Sequence, residues 1–365
     1  MSGPTHQYSQ DQWVPLVDYR RNGIAECTIH GSVAWVSGDK LIHAYGGDVT
    51  CYGRSMMKPY MVKVFTKELE EMSWEQKAIA VSSHNGDTEH IEVIQTILSE
   101  SELGLMQTPL SLPLMQFGQQ RRRPRRLYHS CSGEHAAILR GCRKKNWSRV
   151  GYVWPHHEFF LAYLEQVRGV LGAKWEPKVI AKDGCGLPTM SMSVVELARL
   201  YADLVTKKSD DWIWEAMVRH PDLVGGFNRL DSTIMKSCRG KVIAKEGADG
   251  LLGLAIEHPD YPNGLGVVIK IAHGWDMRAT WYVARYVLGV LGFEFRNPYP
   301  LERQKAYLVD GCIPENLRSK MVSIQPWDDW DPDRDRWQFD YRDFAPVPGG
   351  DFAPAEITHH PDQLK

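Results

Sequence analysis

From Val14 the chain reads VPLVDYRRNGIAECTIHGSVAWVSGDKLIHAYGG, short β-branched runs separated by turn signals at Asn22-Gly23, His30-Gly31 and Gly38-Asp39. Period-two runs bounded by such pairs predict an antiparallel meander of three or four strands. The pattern then lengthens. Met57, Tyr60, Met61, Val64, Phe65 and Leu69 recur at mostly helical spacing, which predicts a helix over 55–72 with Ser55 near its start. Ser73 precedes WEQKAIAVSS with Gln76 three residues on, the arrangement of a capping box. Further helices are expected over Thr88–Leu103, after Cys131-Ser132-Gly133, in PHHEFFLAYLEQVRGVLG and in SVVELARLYADLV. Between the last two, Val179–Lys182 reads as a strand running into the glycine-rich turn Asp183-Gly184-Cys185-Gly186. From Lys241 the strand signal returns in KVIAKEG, LLGLAIEH and LGVVIKIAHG.

A β-rich beginning, a helical middle and a β-rich end predict a mixed α/β (α+β) fold: one mostly antiparallel sheet built from both chain ends, with helices packed on it. Residues 1–12 are polar and expected to be flexible. Residues 13–300 would form one two-lobed unit, with sheet from 13–54 and 240–292. Beyond about residue 300 the chain is rich in Trp, Asp and Pro with little periodicity, so 301–365 reads as an irregular aromatic and acidic extension. Asp331, Asp333 and Asp335 alternate as in a calcium loop, but the glycine and the closing Glu of that template are missing.

Composition narrows the function classes. With 43% hydrophobic and 24% charged residues and a net charge of -2, nothing indicates nucleic-acid binding. The basic run Arg121-Arg122-Arg123-Pro124-Arg125-Arg126 reads as a solvated loop or an anion-binding patch. The amino terminus shows no basic segment followed by an apolar one, and the apolar run Tyr282–Phe293 is too short to span a bilayer, so a cytoplasmic protein without membrane contact is expected. The seven cysteines are irregularly spaced and read as reduced thiols.

Three short motifs occur in an order that has a mechanism behind it. Ser55-x-x-Lys58 places a hydroxyl and an amine on one helical face, where a desolvated, neutral amine could take the serine proton. Ser83-His84-Asn85 offers a second hydroxyl, and Lys245-Glu246-Gly247 puts a lysine and a glycine on a strand. S-x-x-K, S-x-N and K-x-G are the signatures of serine acyl enzymes of the penicillin-recognising kind. The 28 residues from Ser55 to Ser83 leave little room for the helical domain of those enzymes, and Ser83–Asp87 could simply cap the helix near Thr88. A second constellation, His129-x-Cys131-Ser132-Gly133-Glu134-His135 with Asp183-Gly184-Cys185-Gly186, could hold zinc or could be buried thiols.

Taken together, Arg54-Ser55-x-x-Lys58-Pro59, Ser83-His84-x-Gly86, the Cys131 and Cys185 segments, His220-Pro221-x-Leu223-Val224 and Ala244-Lys245-x-Gly247-Ala248-x-Gly250 make the chain resemble the rhizobial-type (class 3) L-asparaginases, from about Val14 to about Leu291. The resemblance implies a glutaminase- and serine β-lactamase-like fold, a homodimer, and hydrolysis of asparagine to aspartate and ammonia. It implies the catalytic pairs Ser55 with Lys58 and Ser83 with Lys245, and a zinc ion at Cys131 and Cys185, with Glu134 or His135 as a further ligand. Arg54, His84, Asn85, Glu134, His135, Asp183 and Gly247 are the candidates for substrate binding. Two departures point to altered substrate recognition. The family's Asn-Cys-Ser-Gly-Lys-His carries Ser130 and Glu134 here, so a carboxylate replaces an amine, and its Lys-x-x-Asp-Gly has become Lys270-Ile271-Ala272-His273-Gly274. A diverged hydrolase or acyltransferase acting on a larger amide is the alternative reading, and a catalytically silent binding protein a third.

Overall fold

The computed structural model describes residues 12–21, 24–112, 123–274, 276–294 and 305–323. Strands β1 (Val14–Arg21), β2 (Ile24–Ser37) and β3 (Lys40–Tyr45) form the expected meander, followed by the short β4 (Thr50–Tyr52). The helical middle comprises α1 (Lys58–Lys63), α2 (Trp74–Ala80), α3 (Thr88–Ile97), α4 (Glu100–Leu103), α5 (Ser132–Lys144) and α6 (Glu158–Leu171). After β5 (Ile180–Lys182) and β6 (Pro188–Ser193) come α7 (Val194–Thr206), α8 (Ile213–Arg219), α9 (Pro221–Val224) and α10 (Leu230–Ser237). The chain returns to the sheet with β7 (Val242–Gly247), β8 (Leu251–His258) and β9 (Tyr261–Ile271), then α11 (Met277–Val290) and β10 (Lys305–Leu308).

The fold is mixed α+β with antiparallel strand pairing throughout the described residues. The main sheet runs β10-β1-β2-β9-β8-β7. Strand β2 is long enough to hold two neighbours on one edge: Ile24–Gly31 pairs with β1 and Val33–Ser37 with β3. Its other edge pairs Gly31–Ser37 with β9. Chain beginning and chain end therefore meet inside one sheet, as the alternation implies. Helix α7 lies against β9 closely enough that a Cβ on Gly266 would fall 1.9 Å from the Ala198 carbonyl oxygen, so a side chain there has no room.

The structure departs from the sequence reading in three places. The helix expected over 55–72 is a 3-10 turn, Arg54–Met57, leading into α1, which ends at Lys63. Beyond it the Trp212 indole N–H donates to the Thr66 carbonyl (2.9 Å), which occupies a group the helical ladder would use. The helix over Thr88–Leu103 is two, because Leu98 is extended and Ser99 restarts the chain with its own capping box to Glu102. Of the stretch after residue 300, Lys305–Leu308 is a strand at the sheet edge, in register Val17↔Leu308 to Arg20↔Lys305. The Asn22-Gly23 turn, residues 1–11, Arg121 and Arg122 of the basic run, and Asp331–Asp335 lie outside the described residues. Among the described residues no helix is long and apolar enough to cross a membrane. All seven cysteines are free thiols.

Candidate active site

Ser55 stands on the 3-10 turn between β4 and α1. Arg54 before it has φ +48°, a backbone region costly for a residue with a side chain, held by its N–H to Thr189 Oγ1 (3.2 Å) and its guanidinium to Asp183 (2.8 Å) and Asp249. The turn projects Ser55, half-buried, into a cavity of about 440 Å3. Lys58, three residues on, donates its backbone N–H to the Ser55 carbonyl. Pro59 follows in the first turn of α1, where its missing N–H has no partner to lose.

Ser83 reaches the same cavity from the opposite side. The segment Ser82–Asn85 is threaded between two loops: Ser83 N donates to Val224 O (2.8 Å), His84 N to Ser130 O (3.0 Å) and Asn85 N to Gly225 O (3.0 Å). In such a chain successive side chains alternate. Ser83 and Asn85 face the cavity, and His84 faces the interior. There His84 Nδ1 accepts from Gly86 N (3.0 Å), so Nε2 carries the proton and donates to Ser132 Oγ (2.9 Å), while the ring stacks on His90 at 5.1 Å. His84 is thus a scaffold group, removed from the substrate-facing place the motif suggested. The Ser83 hydroxyl is buried without a hydrogen-bond partner, an unmet donor aimed where a substrate would bind. The capping reading of Ser83–Asp87 holds for its last residue: Asp87 is the N-cap of α3, without a side-chain cap hydrogen bond, and Ser83 takes no part in it.

Neither lysine lines the cavity; both are buried, Lys58 1% and Lys245 0% exposed. Lys58 is 3.4 Å from Glu134 and donates to the Ser82 carbonyl. Desolvation pulls its pKa down, but Cys131, Glu134 and Cys185 outweigh that and the net shift is upward, opposite to the neutral amine expected from burial alone. Lys245 behaves differently. Desolvation lowers its pKa, Lys58 and Arg229 add to that, and its partner Asp231, 3.0 Å away and fully buried, compensates only in part. Lys245 therefore holds its proton more loosely than a free lysine does.

Asp231 was not apparent from the motifs. Its Oδ2 accepts from Lys245 and, at 3.4 Å, from Glu246 N, and its Oδ1 from Ser232 N (2.9 Å). The signal was present: on α10 the buried stripe is Leu230, Asp231, Ile234 and Met235, a carboxylate in an apolar face. Two residues earlier Arg229 lines the cavity and pairs with Glu246 at 3.0 Å. Gly247, Asp249 and Ser130 also line it, whereas Arg54 and Asp183 bond to each other at its margin.

The cysteine constellation forms a separate buried cluster. Cys131 stands at the N-cap of α5 and Glu134 in its first turn, so both side chains converge at that helix end. Cys185 comes from the β5–β6 turn, where Gly186 has φ +99° as glycine permits. One donor atom from each of Cys131, Glu134 and Cys185 lies within 4.8 Å of the others. A hydrogen bond from the Cys185 thiol, with Lys58 nearby, holds Cys131 well below the usual thiol range, and the same contact pushes Cys185 up. Burial raises Glu134 to about 8 against the pull of Lys58, and its Oε1 has no hydrogen-bond partner. Glu134 is 1% exposed and is not among the residues lining the cavity. His135 is not in the cluster: its Nδ1 lies 2.6 Å from the Tyr152 hydroxyl, and burial lowers its pKa to about 3.

No curated protein matches the chain. The family model for L-asparaginase II matches residues 17–310, from the first strand of the sheet through its last. Covering the cavity, both serines, both lysines and the thiol cluster, this match shows that the chain belongs to the L-asparaginase II family.

Proposed function

We propose that this asparaginase-like amidohydrolase is a rhizobial-type enzyme in which Ser55 attacks the side-chain amide of L-asparagine or a close analogue. The observation that supports it most is that two serine hydroxyls share one cavity, while two buried lysines bond to the segments that line it, Lys58 to the Ser82 carbonyl and Lys245 to the Glu246 carbonyl. Ser55 is the nucleophile of this scheme: it is the half-exposed one, and its N–H lies in an uncapped first turn, where a donor for the oxyanion is free. Lys245, with its loosened proton, serves as the base through Ser83, whose unmet hydroxyl can pass a proton between Ser55 and the departing amine. Lys58 keeps a positive charge beside the acyl intermediate. Water then cleaves the ester by the reverse proton path. From the same resemblance we infer a homodimer.

The observation favouring the alternative, a larger amide or acyl transfer, is the cavity's extent toward Leu251, Met277 and Thr280. Ammonia release from L-asparagine, compared with turnover of N-alkylated asparagines, decides between them. The proposal expects asparagine to be at least about tenfold better in kcat/KM; reversed preference would favour the larger substrate.

Two thiols and an unpartnered carboxylate oxygen fit a zinc ion, and Cys131, Cys185 and Glu134 would hold it. Bound there, zinc would supply positive charge that holds the two thiols and the Glu134 carboxyl as anionic ligands. Elemental analysis of protein purified without chelator should find about one zinc per chain. Cys185→Ser should lose most of it; an equal, near-zero content in both proteins would discard the site.

A further inference from the structure

Among the described residues, the charged groups lining the cavity are Arg229, Glu246 and Asp249. Asp249 is held by Arg54 from the margin. Arg229 and Glu246 instead face the cavity as a pair, Nε to Oε2 at 3.0 Å, with side chains 18% and 11% exposed. Among the described residues no hydrogen bond reaches Glu246 Oε1, although Oε2 is engaged.

The pair is built in a fixed relation to the buried one beneath it. Arg229 precedes Asp231 by two residues at the head of α10, and Glu246 follows Lys245 on β7. The Glu246 N–H closes on Asp231 Oδ2, and the Lys245 ammonium donates to the Glu246 carbonyl at 3.1 Å. Whatever Arg229 and Glu246 bind is therefore placed by the same two segments that place Lys245. Such support pre-organises a recognition element at little cost when ligand arrives.

Seen from the cavity, a guanidinium beside a carboxylate is a dipole, positive at Arg229 and negative at Glu246. Its complement is an antiparallel dipole: a carboxylate and an ammonium carried by one carbon. A lone carboxylate would gain from Arg229 but face the uncompensated charge of Glu246, and an uncharged amide would desolvate both without return. Only a group bearing both charges satisfies both ends, and guanidinium–carboxylate contact is the geometry arginine favours.

We infer that Arg229 and Glu246 are the specificity-determining residues that read the zwitterionic head of the substrate, confining the site to amides of α-amino acids. This rests on the serine amidohydrolase reading for its chemistry, but the recognition can be measured without it. Three amides serve as probes: L-asparagine, succinamic acid, which lacks the amine, and 3-aminopropanamide, which lacks the carboxylate. For Arg229→Gln, kcat/KM should fall about 100-fold on asparagine and succinamic acid, and at least ten times less on 3-aminopropanamide. For Glu246→Gln the pattern should cross, the large loss falling on asparagine and 3-aminopropanamide. Equal losses on all three amides, or no loss on any, would overturn the inference, because a scaffold pair has no means of sensing which head group is present.

If no amide is turned over by the wild type, the amidohydrolase reading fails and the inference is decided by calorimetric titration with L-aspartate. Binding that weakens at least tenfold in both variants sustains it; binding unchanged in both, or no binding to the wild type, overturns it. Should either variant fail to fold by circular dichroism, Arg229→Lys and Glu246→Asp replace them, with smaller losses expected in the same crossed pattern.

Discussion

Ser55→Ala is expected to lower kcat for amide hydrolysis by about 10^4-fold or more, with the melting temperature changed by no more than a few degrees. The two halves of that expectation come from different features. The loss follows because the proposed route begins with a bond to Ser55 Oγ, and the remaining oxyanion donor and binding groups would supply only residual acceleration over water. Stability is spared because Ser55 is half-buried and its side chain makes no hydrogen bond, so alanine leaves no buried group unmet. Stopped-time ammonia assays and mass spectrometry for a covalent acyl adduct check it together. An adduct that persists in Ser55→Ala and disappears in Ser83→Ala would exchange the roles of the two serines.

Asp231→Ala should be the most destabilising single change near the site, by about 3–5 kcal/mol, a fall on the order of 10 °C in Tm. Its carboxylate is 0% exposed and neutralises the equally buried Lys245 at 3.0 Å. Removing it strands an ammonium in the interior and leaves the Glu246 and Ser232 N–H groups without their acceptor. Replacing both charges tests the cause. The double variant Asp231→Leu/Lys245→Met should recover most of the lost stability, since apolar residues of similar size can replace a buried pair, yet remain inactive for want of the base. Thermal unfolding and activity assays on the three proteins check both parts. Additive destabilisation in the double variant would show that the ion pair is not the source.

How much of this could be read from residues alone depended on whether neighbours in the chain were also neighbours in space. Ser55 with Lys58, and Cys131 with Glu134, are local pairs on helical turns, so spacing disclosed them. Strands β1–β3 and β7–β9 announced themselves by alternation and turn residues, and the sheet joining both chain ends followed. Asp231 with Lys245 and Arg229 with Glu246 are pairings between a helix start and a strand 14 and 17 residues away, and no motif spans them. The direction of the Lys58 shift was also out of reach. Burial alone argues for a neutral amine, and only the meeting of three segments shows that Cys131, Glu134 and Cys185 outweigh it. His84 was misplaced for a related reason: its motif gave proximity to Ser83, and only the hydrogen bonds of Ser82–Asn85 fix which side each residue faces.

The threading of Ser82–Asn85 between Ser130 and the Val224-Gly225 pair has an evolutionary consequence. That segment is held at both flanks by main-chain atoms, so a side-chain change at Ser130 or Val224 leaves those acceptors in place as long as the backbone keeps its path, whereas a Cβ on Gly225 would fall 2.3 Å from Asp231 Oδ1. The Ser130 side chain, which lines the cavity, can therefore change without dislodging Ser83. The place of the Ser83 hydroxyl is thus insulated from the side chain at position 130, so that one lining position is free to drift toward new substrates while Ser83 stays where it is.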